Sequence, residues 1–164
     1  RGGRVLGLCG GYQMLGRSLR DPDGIDGTPG DAEGLGLLDI ETVMTPEKAL
    51  RAVTAEHVAS GERADGYEMH VGETGGPDCA RPLFRLEGEG HGAVSADGLV
   101  MGCYLHGLFA ADGFRRAFLD GIVSGVAGDL AYDALVERTL DGLADHLATH
   151  LDMERILRVA RSRL

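Results

Sequence analysis

The sequence predicts an α/β domain built on a largely parallel sheet. Three observations carry that prediction. Short apolar runs of strand length alternate with segments of helical periodicity. Glycine, at 27 of 164 residues, gathers in brief stretches between those runs, as many tight turns require. The chain is long enough to bury one sizeable core, and 43% hydrophobic with 26% charged residues is ordinary globular composition.

Taken in order, residues 5–8 (Val-Leu-Gly-Leu) read as a strand, Cys9-Gly10-Gly11 as a sharp turn, and Met14, Leu15 and Leu19 as the apolar face of a helix. Residues 21–33 are rich in Asp, Gly and Pro, which interrupt both helix and ladder, and read as a loop. Residues 35–43 alternate loosely and suit a strand. Residues 45–56 fit either a short helix opened by Thr45-Pro46 or a further strand. Residues 66–71 form a strand with polar residues on one face; 82–86 and 93–95 are short edge pieces, and 99–105 is a firm strand. Asp112 can cap a helix to about Ser124 with Phe114, Ala117, Phe118 and Ile122 on one side. A second helix from near Asp129 aligns Leu140, Leu143, Leu147 and Leu151, and Asp152 can cap a last one to Leu164. This is one domain, with a core over about 1–125 and a helical extension over about 126–164. No internal repeat is present.

A formal net charge of −10 repels phosphate backbones and anionic lipid, which disfavours nucleic-acid and membrane partners. No run of eighteen apolar residues and no leader pattern is visible, so a cytoplasmic protein is expected. Cys9, Cys79 and Cys103 are odd in number and lack CxxC spacing, which fits neither a disulfide framework nor a structural zinc site. Arg1 to Arg4 lead directly into the first strand, as in a piece of a longer protein.

Chemistry concentrates at Gly7-Leu8-Cys9-Gly10-Gly11, which places a thiol at a strand-to-helix turn with small residues two positions before and after it. That spacing permits a nucleophile elbow. Glycines tolerate the strained turn and let a substrate carbonyl approach the amide of Gly10, while the amides of the following helix favour a thiolate. A structural cysteine in a glycine turn, or a weak phosphate loop, fits the same spacing. A thiolate needs a partner to move protons, and His106 follows the strand at 99–105. In a parallel sheet the carboxyl ends of strands share one edge, so His106 can sit beside Cys9.

Residues 8–16 (Leu-Cys-Gly-Gly-Tyr-Gln-Met-Leu-Gly) resemble the nucleophile motif of class I, triad-type glutamine amidotransferases. With residues 21–24, 33–38, 66–70 (Gly-Tyr-Glu-Met-His) and 104–109 (Tyr-Leu-His-Gly-Leu-Phe), the resemblance narrows to the amidotransferase domain of the cobyric acid synthase family. It implies a three-layer, flavodoxin-like fold, truncated at its start and extended by C-terminal helices. It also implies that Cys9 and His106 are catalytic, that Gly10 supplies a backbone oxyanion donor, and that Gln13 contacts glutamine. The ammonia would serve ATP-dependent amidation of corrin carboxylates, on adenosylcobyrinic acid a,c-diamide, in an N-terminal synthetase domain. ATP and magnesium belong to that separate domain; no cofactor or metal is expected here, and no Gly-Lys-Ser or Gly-Lys-Thr phosphate loop occurs.

Two departures stand out. The wider class has a glutamate two residues after the histidine, where this sequence has Leu108, so a dyad is expected, with a backbone carbonyl available to fix the histidine tautomer. The glycine loop that supplies a second oxyanion donor would precede residue 1, and loss of one donor costs about a hundredfold or more in rate.

Glu68 and His70, two apart on a strand, face one side, where they can contact the amino-acid end of glutamine or brace the cleft. His70 is also the rival base to His106. His146 and His150 are one helical turn apart, but Leu147 stands where a zinc protease has its glutamate, so they read as a solvated face. His57 and His91 show no partner pattern. Two other readings remain open: a related amidotransferase acting on a cell-wall lipid precursor, and a non-catalytic amidotransferase-like assembly module. The 67–70 and 105–109 segments favour the corrin enzyme over the first.

Overall fold

In the computed structural model, which describes residues 2–162, the opening apolar run is strand β1 (Val5–Leu8), and Cys9 joins it to helix α1 (Gly10–Leu15). The helix ends four residues before Leu19 because another segment occupies its C-terminal acceptors. The amides of Leu35, Gly36, Leu37 and Leu38 donate to the carbonyls of Met14, Gly16 and Leu15. The same bonds explain why residues 35–39 are irregular where a strand is expected; the extended ladder starts only at Glu41.

Leu19 instead enters β2 (Ser18–Asp21), which pairs antiparallel with β3 (Gly30–Glu33). The segment expected to be entirely loop is therefore a hairpin. Its turn is held by the Asp21 carboxylate, which accepts from the amides of Ile25 and Asp26 at 2.7 and 3.0 Å. Strands β4 (Glu41–His57) and β5 (Arg63–Gly75) form a long antiparallel hairpin, which resolves residues 45–56 as strand. Pro46 falls where the β4–β5 register shifts, between Val43 and Lys48, so its missing N–H costs no ladder bond.

Five short strands follow: β6 (Phe84–Leu86), β7 (Glu89–His91), β8 (Ala93–Val94), β9 (Val100–Cys103) and β10 (Leu105–His106). They complete two sheets. The first has the order β1-β9-β8; the second runs β10-β5-β4-β2-β3, with β6 attached to β4 and β7 to β6. The α/β class holds, as mixed sheets with helices, but the expected parallel sheet does not. Among the described residues the parallel pairs are β1 with β9 and β2 with β4. The pairs β2–β3, β4–β5, β6–β7 and β8–β9 are consecutive in the chain, and a short connection can return a chain only antiparallel.

The run read as one strand over 99–105 is divided between the sheets. β9 ends at Cys103, and after Tyr104 the chain joins the second sheet as β10. Two buried clusters flank this crossing. One gathers Phe84, Phe114, Leu105 and Leu108, the other Tyr12, Leu15, Leu38, Ile40 and Tyr104. Helix α2 (Asp112–Asp120) buries Phe114 and Phe118 as its periodicity predicts. It stops before Ser124, and Asp112 lies in its first turn, paired with Arg115 at 2.6 Å, while Ala111 takes the cap position.

One compact unit ends at Gly128 and a second begins at Asp129. The second comprises α3 (Tyr132–His150) and α4 (Met153–Arg161), and Asp152 caps α4 as expected by accepting from the amide of Arg155 at 2.9 Å. The expected helix end at Leu164 and the start at Arg1 lie outside the described residues. Among the described residues no helix is long and apolar enough to cross a membrane.

Candidate active site

Cys9 has φ 53° and ψ −120°, a left-handed backbone conformation that costs a side-chain-bearing residue energy and persists only where its surroundings impose it. Here they do. Its amide donates to the Cys103 carbonyl at 2.9 Å, and its carbonyl accepts from Tyr12 and Gln13 at 2.9 and 3.3 Å. A methyl at Gly7 would meet the Leu15 side chain at 2.6 Å and the Gly11 carbonyl at 2.7 Å, so glycine there lets α1 fold back onto β1. At Gly10 and Gly11 an added methyl would meet nothing within 4 Å. The turn is therefore packed at Gly7, before the cysteine, and open at Gly10 and Gly11, after it.

The Leu8–Cys103 pairing of parallel β1 and β9 ends both strands at the same level. Three residues later the chain reaches His106, whose backbone pairs with Tyr67 on β5. The Cys9 thiol donates to the Met69 carbonyl at 3.5 Å, and Nε2 of His106 contacts the same oxygen at 3.3 Å. Sulfur and ring thus converge on one acceptor and are no further apart than those two contacts laid end to end. A carbonyl only accepts, so Nε2 is the protonated nitrogen in this arrangement. The imidazole comes from the second sheet and not, as expected, from the strand edge shared with Cys9; the crossing at Tyr104 brings it back.

Residues 1–114 match the family described as the CobB/CobQ-like glutamine amidotransferase domain. The chain belongs to that family. Its α/β architecture of mixed sheets and helices agrees with a class I glutamine amidotransferase fold. The domain is 62% identical over 161 residues to a protein named cobyric acid synthase from Cereibacter sphaeroides, covering 98% of this chain and 33% of that protein. A protein of the same name from Bradyrhizobium diazoefficiens is 58% identical, with the same coverage. One from Rhodobacter capsulatus is 62% identical over 122 residues, covering 74% of this chain and 25% of that protein. The chain spans about a third of the length of the first two relatives.

In this CobB/CobQ-like domain Leu108 is 2% exposed and packed in the core cluster with Phe114 and Leu105, so the position held by glutamate in the wider class is part of the apolar core. The Gln13 side chain is buried and its Nε2 donates to the Val71 carbonyl at 3.1 Å, stitching α1 to β5. Cys9, Gln13 and His106 thereby all reach backbone carbonyls of the 69–71 stretch of β5.

Glu68 and His70 face one side together, as expected, but strand alternation puts them on the face of β5 opposite Tyr67 and Met69. Glu68 bonds Arg51 at 2.8 Å and His70 Nε2 at 3.2 Å, with His91 Nδ1 3.7 Å away. His70 also bonds the Gly72 carbonyl at 3.0 Å and stacks on Tyr104 with centroids 3.8 Å apart. Burial raises the Glu68 carboxyl, but the bonds from Arg51 and His70 outweigh it and hold the group below the usual carboxylate range. His91 accepts the Tyr104 amide on Nε2, and burial pushes its ring below the ordinary histidine value despite nearby Glu68. Glu68, His70, His91 and Tyr104 line a cavity of about 380 Å³ with Tyr12 and Cys79. Arg51 and His91 were missed because neither stands in a motif; distant parts of the chain bring them to Glu68.

The remaining expectations fall to structural roles. His57 is buried, bonded through Nδ1 to the Ser60 hydroxyl at 2.8 Å and set against Phe84 and Phe114. Cys103 is fully buried, and burial pushes its thiol up to about 12. His146 and His150 stack on α3, where His150 Nδ1 is 2.9 Å from the His146 carbonyl.

Proposed function

We propose that this domain hydrolyses glutamine to glutamate and ammonia with a Cys9–His106 dyad. The convergence of the Cys9 sulfur and the His106 ring on the Met69 carbonyl, at a strained turn, is the observation that supports it. The thiol proton passes to His106, whose Nδ1 is the unprotonated nitrogen while Nε2 donates to the Met69 carbonyl, and the thiolate attacks the side-chain amide carbon of glutamine. As the C–S bond forms, the Gly10 amide donates to the developing oxyanion. His106 then gives its proton to the departing nitrogen, the C–N bond breaks and ammonia leaves. Water, deprotonated by His106, attacks the thioester, releasing glutamate and the thiol. Gln13 lies beside this path as a glutamine contact, and Glu68 with His70 braces the strand that carries Met69.

The relatives' name supports a wider reading. Ammonia passes to a synthetase domain in the N-terminal part of a longer protein, which uses it with ATP and magnesium to amidate corrin carboxylates such as those of adenosylcobyrinic acid a,c-diamide in cobalamin biosynthesis. In that full-length protein Cys9→Ala and Cys9→Ser should abolish amidation supported by glutamine while leaving amidation supported by free ammonia. Continued use of glutamine by either variant would refute the dyad.

A further inference from the structure

We propose that Tyr67 is the positioning residue of this site, orienting the His106 ring by stacking where the wider class uses a glutamate; this rests on the dyad reading above. The rings lie almost parallel, 6° apart, with centroids separated by 4.9 Å. Such contact fixes a ring plane without a hydrogen bond. Among the described residues no carboxylate pairs with His106, and the buried Leu108 points into the core. The ring is thus held from two directions: Tyr67 against its face, and the Met69 carbonyl at Nε2.

The backbone enforces the stack. Tyr67 and His106 are direct cross-strand partners, and their side chains share one face of the sheet. Next to them, Gly66 lies so close to the His106 carbonyl that any side chain would force the strands apart. The stack alone orients the ring, since the tyrosine supplies a flat surface and its hydroxyl takes no part.

The test measures glutamate release in the full-length protein that carries this domain, for Tyr67→Phe, Tyr67→Leu and His106→Ala. Tyr67→Phe keeps the flat face and should retain kcat within about twofold. Tyr67→Leu should lower kcat about tenfold, the equivalent of ~1.4 kcal/mol in the barrier, with KM little changed. In the NMR spectrum the His106 ring protons, shifted by the neighbouring aromatic face, should move in Tyr67→Leu and stay in Tyr67→Phe. Wild-type kcat in Tyr67→Leu with an inactive His106→Ala would overturn the role of Tyr67 and leave the dyad standing. An active His106→Ala would overturn both.

Discussion

The three cysteines show how environment assigns roles to one residue type. Cys103 is fully buried with its thiol pushed up to about 12, and Cys79 is half-buried with its sulfur 4.0 Å from the Tyr12 hydroxyl. Cys9 alone of the three has the positive φ of a strained turn, with open space at its neighbours Gly10 and Gly11. A glutamine-mimicking electrophile should therefore label Cys9 and spare Cys103, as peptide mass mapping would reveal; equal labelling of both would contradict the site. Leu108 supports a second expectation. Restoring the wider class's residue by Leu108→Glu should not restore a triad, because the carboxylate would enter a sealed apolar cluster and cost about 3–5 kcal/mol of stability. Chemical denaturation measures that loss, and unchanged stability with faster turnover would show that the position does reach His106. Cys9 and His106 could be named as candidates from the sequence because a thiol in a glycine turn and a histidine after a strand are local patterns, while Gly10 and Gln13 entered through the resemblance of their motif. Tyr67 was not singled out, because stacking depends on strand pairing that no local pattern expresses.

At the scale of elements, the site depends on contacts between strands. β10 is two residues long, yet it carries His106 and is fixed in register by Gly66 on β5. Gly66→Ala should push β10 from β5, cost about 1–3 kcal/mol and reduce glutamine hydrolysis out of proportion to the lost stability. Activity assayed well below the melting temperature separates the two effects, and full turnover there would show that the register is not what places His106. The helix α1 and the segments after it teach a related lesson. Periodicity carried the helix to Leu19, but the 35–38 amides satisfied its last carbonyls and ended it early. Residues 21–33 looked like pure loop from their Asp, Gly and Pro content, yet their ends pair as β2 and β3. Composition reports what a segment can do alone and not which neighbour will supply its hydrogen bonds.

For the whole molecule, acid stability follows from two kinds of buried group. His57 and His91 are pushed by burial below the ordinary histidine value of 6.5. The unfolded chain takes up those protons first, so stability is complete above that value and declines as pH falls from it toward the folded values. Glu68, despite its burial, is held by Arg51 and His70 below its ordinary 4.5; its contribution is present above 4.5 and is lost as pH drops through the folded value. The thermal midpoint should thus decline in two stages on acidification, and His57→Gln should flatten the first. A midpoint unchanged down to pH 5 would contradict it. By itself the sequence determined the α/β class, the strand-to-helix turn at Cys9 and the helical end, since these depend on periodicity and turn chemistry along the chain, while the resemblance of its motifs pointed to the family and to the candidate pair Cys9 and His106. Only the tertiary structure decided that the sheets are mixed, that the chain changes sheets at Tyr104 to deliver His106, and that Tyr67 and the Met69 carbonyl hold the ring. Those outcomes depend on which distant strands satisfy one another's hydrogen bonds and bury one another's faces, a choice made across the whole fold.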